Sequence, residues 1–127
     1  MLNGHKKVLI VDDEILIAMF LEDVVEDGGY SVAGCAASTD EALELARTAK
    51  PDFAIVDFNL RGTEDGAALA RSLIREHKVE VILLSGDIDL ASNPALDDIP
   101  VVAILEKPCR PEAILQALKR AEERIPS

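Results

Sequence analysis

At 127 residues the chain has the length of one hydrophobic core, and its 49% hydrophobic content excludes wholesale disorder. The net charge of −11 excludes a surface that wraps nucleic acid, because phosphate backbones need clustered Lys and Arg. It equally opposes docking on an anionic membrane.

No apolar stretch approaches the ~20 residues of a membrane span. The apolar run after Lys7 stops at Asp12, too soon for a signal peptide. Cys35 and Cys109 lie far apart without ligand spacing, which predicts two reduced thiols in a cytoplasmic protein.

Apolar runs of strand length alternate with stretches of helical period. Residues 7–11 read as a strand ending at Asp12-Asp13. An amphipathic stretch from Glu14 to Asp27 follows, with Ile17, Leu21 and Val24 on one face, stopped by Gly28-Gly29. Tyr30 to Ala36 is the second expected strand. Ser38 with Glu41 three residues later is a capping-box signal. The helix it opens carries a stripe of Ala42, Leu45, Ala46 and Ala49, and Pro51 ends it. Residues 53–57 make a third strand, Ala67 to Glu76 a third helix, and residues 79–84 a fourth strand. The segment from Ile88 to Asp98 contains Pro94, which a helix interior does not tolerate, so a short, late or poorly formed helix is expected. A fifth strand spans 101–105. The last helix starts near Pro111, with Ile114, Ala117, Leu118 and Ala121 at the spacing of a buried face. Five βα units imply an α/β fold, a parallel sheet covered on both faces.

The strand ends carry the chemistry, since ligands of open parallel sheets bind beyond the carboxyl ends of the strands. Asp12-Asp13, Asp57, Ser85 and Lys107-Pro108 would meet there. Each has an ordinary reading by itself: an acidic pair caps a helix, Ser-Gly makes a turn, and a lysine sits solvated. Together they suggest more. Three carboxylates in one crevice repel one another, and a divalent cation relieves that. Oxygen-only ligands point to Mg²⁺, with Mn²⁺ as a substitute, in a site that awaits a phosphate. Lys107 can neutralise a phosphoryl oxygen and Ser85 can donate to it.

As a set, these residues resemble the receiver domains of two-component response regulators over essentially the whole chain. The resemblance implies a (βα)5, doubly wound, flavodoxin-like sheet of strand order 2-1-3-4-5. It implies that Asp57 accepts a phosphoryl group from a phosphohistidine of a sensor histidine kinase or histidine phosphotransfer protein. Asp13, Asp57 and the main-chain carbonyl of Asn59 would ligate Mg²⁺, with Asp12 acting mainly through water. Ser85 would bond the phosphoryl group and Lys107 would pair with it. Asn59 and Asp87 stand where family members tune hydrolysis of the acyl phosphate. The output would be a switched contact with a downstream protein target, expected to involve segment 86–98.

Three departures stand out. Ile104 replaces the aromatic residue usual three positions before the lysine, so at this switch position no ring rotation can report the movement of Ser85. Arg61 replaces a proline in the loop after Asp57, and the step to Gly66 looks about one residue longer than in the family. Pro94 falls in the fourth helix. The loop Asp57-Phe58-Asn59-Leu60-Arg61-Gly62 resembles a subgroup of single-domain regulators, and the expectation is one receiver unit over 1–127 with no output domain. Nothing in the sequence sets the oligomeric state. One alternative is a degenerate receiver that binds partners independently of phosphate. An aspartyl phosphatase is disfavoured by Asn59, where such enzymes carry a second carboxylate. A nucleotide or flavin site is disfavoured by the lack of a Gly-rich loop after the first strand.

Overall fold

The computed structural model describes residues 6–58, 66–86 and 94–124. Five strands, β1 (Lys7–Val11), β2 (Ser31–Ala36), β3 (Phe53–Asp57), β4 (Glu80–Ser85) and β5 (Ala103–Glu106), form one parallel sheet in the order β2-β1-β3-β4-β5. Four helices accompany them: α1 (Ile15–Asp27), α2 (Thr39–Ala49), α3 (Gly66–His77) and α4 (Pro111–Arg124). The doubly wound α/β fold expected from the alternation is the fold observed.

The two faces of the sheet carry separate cores, as right-handed crossovers require. Leu9, Val11, Ala54, Val56, Val81 and Leu83 face α2 and α3. Val8, Ile10, Phe53, Ile55, Ile82 and Leu84 face α1 and α4. Burial on both sides explains why the central strands are nearly continuous Val, Ile and Leu. The capping signal at Ser38 holds: its Oγ accepts the Glu41 N–H at 3.2 Å, while Glu41 Oε1 accepts the N–H of Ala37, one residue before the cap, at 2.9 Å. Gly66 opens α3 against Phe58, where a Cβ would lie 2.6 Å from the Phe58 carbonyl oxygen. Only glycine permits that approach. Both cysteines are free thiols.

Some boundaries move. Strand β2 begins at Ser31 rather than Tyr30, β4 runs from Glu80 to Ser85, and β5 starts at Ala103 rather than 101. Ile17 is partly buried and packs against the core with Leu21 and Val24 as expected, and Ala18 and Val25 are buried beside them. Between β4 and β5 the described residues hold a single 3-10 turn, Pro94–Leu96. Proline lacks the N–H that a helix interior needs, and it opens this turn. Among the described residues, four helices and this short, late turn accompany the five strands, as the position of Pro94 led one to expect. No described helix is long and apolar enough to cross a membrane.

Candidate functional site

Strand register brings the polar strand ends together. Val11 is level with Val56, Asp57 with Leu84, and Ser85 with Glu106. Asp12, Asp57, Ser85 and Lys107 thus stand at the carboxyl ends of four adjacent strands, the usual ligand edge of such a sheet. Backbone hydrogen bonds continue past the strands and fix these ends. The Asp12 N–H donates to the Ala36 carbonyl at 2.9 Å, the Phe58 N–H to Leu84 at 2.8 Å and the Lys107 N–H to Ser85 at 2.8 Å.

Asp12, Asp57 and Ser85 are the buried polar residues of the described chain. Asp12, Asp13 and Asp57 each turn a carboxylate oxygen to a common point, with those oxygens within 4.8 Å of one another. Asp13 is half-buried, the other two buried. Lys107 Nζ lies 3.2 Å from Asp57 Oδ1 and 3.8 Å from Asp12 Oδ2. Burial raises the Asp12 carboxyl above the usual carboxylate range; the Glu14 N–H opposes that rise, nearby Asp57 adds to it and Lys107 reduces it. Asp12 Oδ1 accepts the Glu14 N–H at 2.9 Å and so caps α1, whose own N-cap, Glu14, makes no side-chain bond.

These residues fit a divalent cation. Asp12 Oδ2 is buried with no hydrogen-bond partner, which is costly for a carboxylate oxygen unless a cation meets it. The donors are all oxygens of hard carboxylates, the set that suits Mg²⁺ or Mn²⁺. Asn59 and Asp87, expected as ligand and tuning residues, lie outside the described residues, as do Arg61 and residues 87–93 of the segment 86–98. Ile104 is half-buried in β5, packed against the core on the α2–α3 side.

The sequence reading passed over one feature beside the site. The first turns of α1 leave Ile15, Leu16, Met19 and Phe20 exposed, at 74, 76, 53 and 40%. Next to them a cavity of about 370 Å³ opens between Phe20 and Leu21 of α1, Leu84, and Lys107-Pro108-Cys109. The signal was present in the sequence: apolar residues at 15, 16, 19 and 20 exceed what one buried helical face can hold.

The fold, with carboxylates beside a lysine at its strand ends, is that of a signalling receiver domain. The sequence profile of the response regulator receiver domain matches residues 8–119, and the chain belongs to that family. The transcriptional regulatory protein PdtaR of Mycobacterium tuberculosis is 29% identical over 120 residues, 94% of this chain and 58% of that protein. The chain therefore spans little more than half the length of this relative. The receiver domain of a modulated diguanylate cyclase from Desulfovibrio desulfuricans superposes with a TM-score of 0.87 at 27% identity, covering 95% of this chain and 96% of that one. A response regulator from Burkholderia pseudomallei, solved with a phosphorylated aspartic acid, a calcium ion and citrate, has a TM-score of 0.79 at 32% identity. It covers 93% of this chain and 69% of that one.

Proposed function

We propose that this receiver takes a phosphoryl group on Asp57 from a phosphohistidine of a sensor kinase or phosphotransfer protein in the cytoplasm, and that the acyl phosphate switches contact with a downstream protein. The observation that carries this reading is Lys107 Nζ held 3.2 Å from Asp57 Oδ1 at the rim of a three-carboxylate cluster. The phosphorylated aspartic acid and calcium ion of the Burkholderia relative support it.

Asp12, Asp13 and Asp57 would hold Mg²⁺, or Mn²⁺, with the Asn59 carbonyl as a further ligand. The ion supplies charge neutralisation for the carboxylates and the incoming phosphoryl oxygens. The protein contributes positioning and electrostatics, which is most of what phosphoryl transfer needs. An Asp57 carboxylate oxygen attacks phosphorus in line. The O–P bond forms as the N–P bond breaks, and its electron pair stays on the imidazole nitrogen. Lys107 moves its charge from the carboxylate to a phosphoryl oxygen. Ser85, buried at the end of β4, donates its hydroxyl to another. Asn59 and Asp87 would set the lifetime of the product. The apolar turns of α1, beside Asp12-Asp13, provide the face on which a protein donor docks.

Incubation with Mg²⁺ and a small-molecule phosphodonor should add one phosphoryl group by intact mass, and Asp57→Asn should add none. An unmodified wild-type chain would instead favour a phosphate-independent binding module.

A further inference from the structure

Four of the seven arginines of the chain, Arg71, Arg75, Arg120 and Arg124, converge on the five residues 98–102 that lead into β5. From α3, Arg71 and Arg75 each place a guanidinium nitrogen 3.3 Å from one oxygen of the Asp98 carboxylate. From α4, on the other face of the sheet, the Arg120 guanidinium donates to the Val102 carbonyl at 3.3 Å and that of Arg124 to the Pro100 carbonyl at 3.0 Å. Arg124 also pairs with Glu80 at the start of β4, at 3.3 Å. The segment is therefore gripped from both helical layers.

Apolar packing contributes less here than elsewhere. Helix α3 buries five residues and α4 four. In the described part of the crossover before β5, Leu96 and Ile99 are the buried apolar side chains, at 7 and 6% exposure. Val101 and Val102 are partly buried, one against each core.

We propose that these arginines form a charge-based clamp that fixes the resting position of residues 98–102, the approach to β5. The clamp does by ion pairing and charged hydrogen bonds what a long buried helix does by apolar packing. Exposed ion pairs weaken with salt, so the rest state becomes sensitive to ionic strength. The regulatory consequence rests on the phosphoacceptor reading above. If phosphorylation moves residues 98–102, a clamp that favours the rest state opposes phosphorylation, and by linkage its loss favours phosphorylation.

Amide exchange in unphosphorylated protein tests the clamp directly. The Val101 and Val102 N–H groups donate to Ile99 and Val81 carbonyls at 2.9 and 2.8 Å and report on the segment. Raising NaCl from about 0.05 to about 0.5 M should speed their exchange about fivefold, with β3 amides unchanged. Asp98→Asn should exchange fast at both salt levels, Arg120→Gln with Arg124→Gln should be faster at low salt, and Asp98→Glu should restore the wild-type pattern. A salt-independent wild type, or a salt slope as steep in Asp98→Asn as in wild type, overturns the clamp. At a fixed small-molecule phosphodonor, Asp98→Asn should reach about three times the phosphorylated-to-free ratio of wild type by intact mass; an equal ratio overturns the regulatory role. A wild type that accepts no phosphoryl group removes that role together with the phosphoacceptor reading, and the exchange experiment still decides the clamp.

Discussion

The carboxyl end of β4 and residues 98–102, which lead into the adjacent β5, are held by different forces. At the strand end, Ser85 is 1% exposed, and its carbonyl accepts the Lys107 N–H. The side chains beneath it, Ile82, Leu83 and Leu84, are buried on both faces of the sheet. Register and packing leave such a site little freedom, as positioning chemistry demands. Further along, Asp98 lies at the surface between two arginines, and two more arginines hold the chain by its carbonyls. A phosphate-driven switch needs both kinds of region: a rigid place to take the charge, and an element whose alternative arrangements differ by little.

Matched truncations in the two regions should separate them. Leu83→Ala leaves a cavity between the middle of the sheet and the α2–α3 layer that the sheet cannot close, costing about 4 kcal/mol. Leu96→Ala, in the 3-10 turn, should cost about 2 kcal/mol because its surroundings can collapse. Denaturant unfolding gives both values. Equal costs would mean that apolar burial anchors the crossover as firmly as the sheet, and the contrast would fail.

The rigid end stores an electrostatic cost that should be recoverable. In metal-free solution Asp12→Asn should stabilise the fold by about 1 kcal/mol. The amide oxygen can still accept the Glu14 N–H, while the second carboxylate oxygen, which meets no hydrogen bond, is replaced by an NH2 group from which the neighbouring Asp57 and Asp13 carboxylates can accept. The pH dependence follows from the raised Asp12 value. A carboxyl whose folded value lies above its unfolded value destabilises the fold where both states are ionised. It stops doing so as pH falls through the folded value. The advantage of the variant should therefore be full near neutrality and shrink in acid. Mg²⁺ should stabilise wild type more than the variant. A variant less stable than wild type at neutral pH without metal would show that the aspartate is well satisfied as an ion.

The sequence made the rigid end readable for the same reason that it is rigid. Four apolar runs closing on Asp12-Asp13, Asp57, Ser85 and Lys107 leave one parallel register in which those residues meet. The crossover was legible only as a disturbance, from Pro94 in a stretch that should be helical. Its arginine contacts come from residues 18 to 27 positions away, and no local pattern announces those. Strand starts shifted because β5 takes its first ladder partner at Ala103, opposite Ile82, which hydrophobicity alone does not fix. The exposed turns of α1 went unnoticed for a related reason. A helical period shows which residues share a face, while burial depends on what covers that face.

That exposed face of α1 gives the smallest effect on stability and a sharp test of function. Leu16→Ser with Met19→Ser removes side chains that are 76 and 53% exposed, so unfolding should change by no more than about 0.5 kcal/mol. Scattered exposed leucines carry no message. Four large apolar residues within the first six of a helix, directly after Asp12-Asp13, form a contiguous patch. Helix α1 carries no Lys or Arg, and its later turns hold Glu22, Asp23, Glu26 and Asp27. A donor that docks here should therefore offer apolar side chains flanked by basic ones. In the double variant, transfer from a phosphohistidine protein should slow about tenfold, the loss of roughly 1.4 kcal/mol of contact. Phosphorylation by a small-molecule donor, which needs no docking face, should keep its wild-type rate. If both rates fall together, the patch supports the geometry of Asp57 itself, and the surface of α1 belongs with the rigid end rather than with recognition.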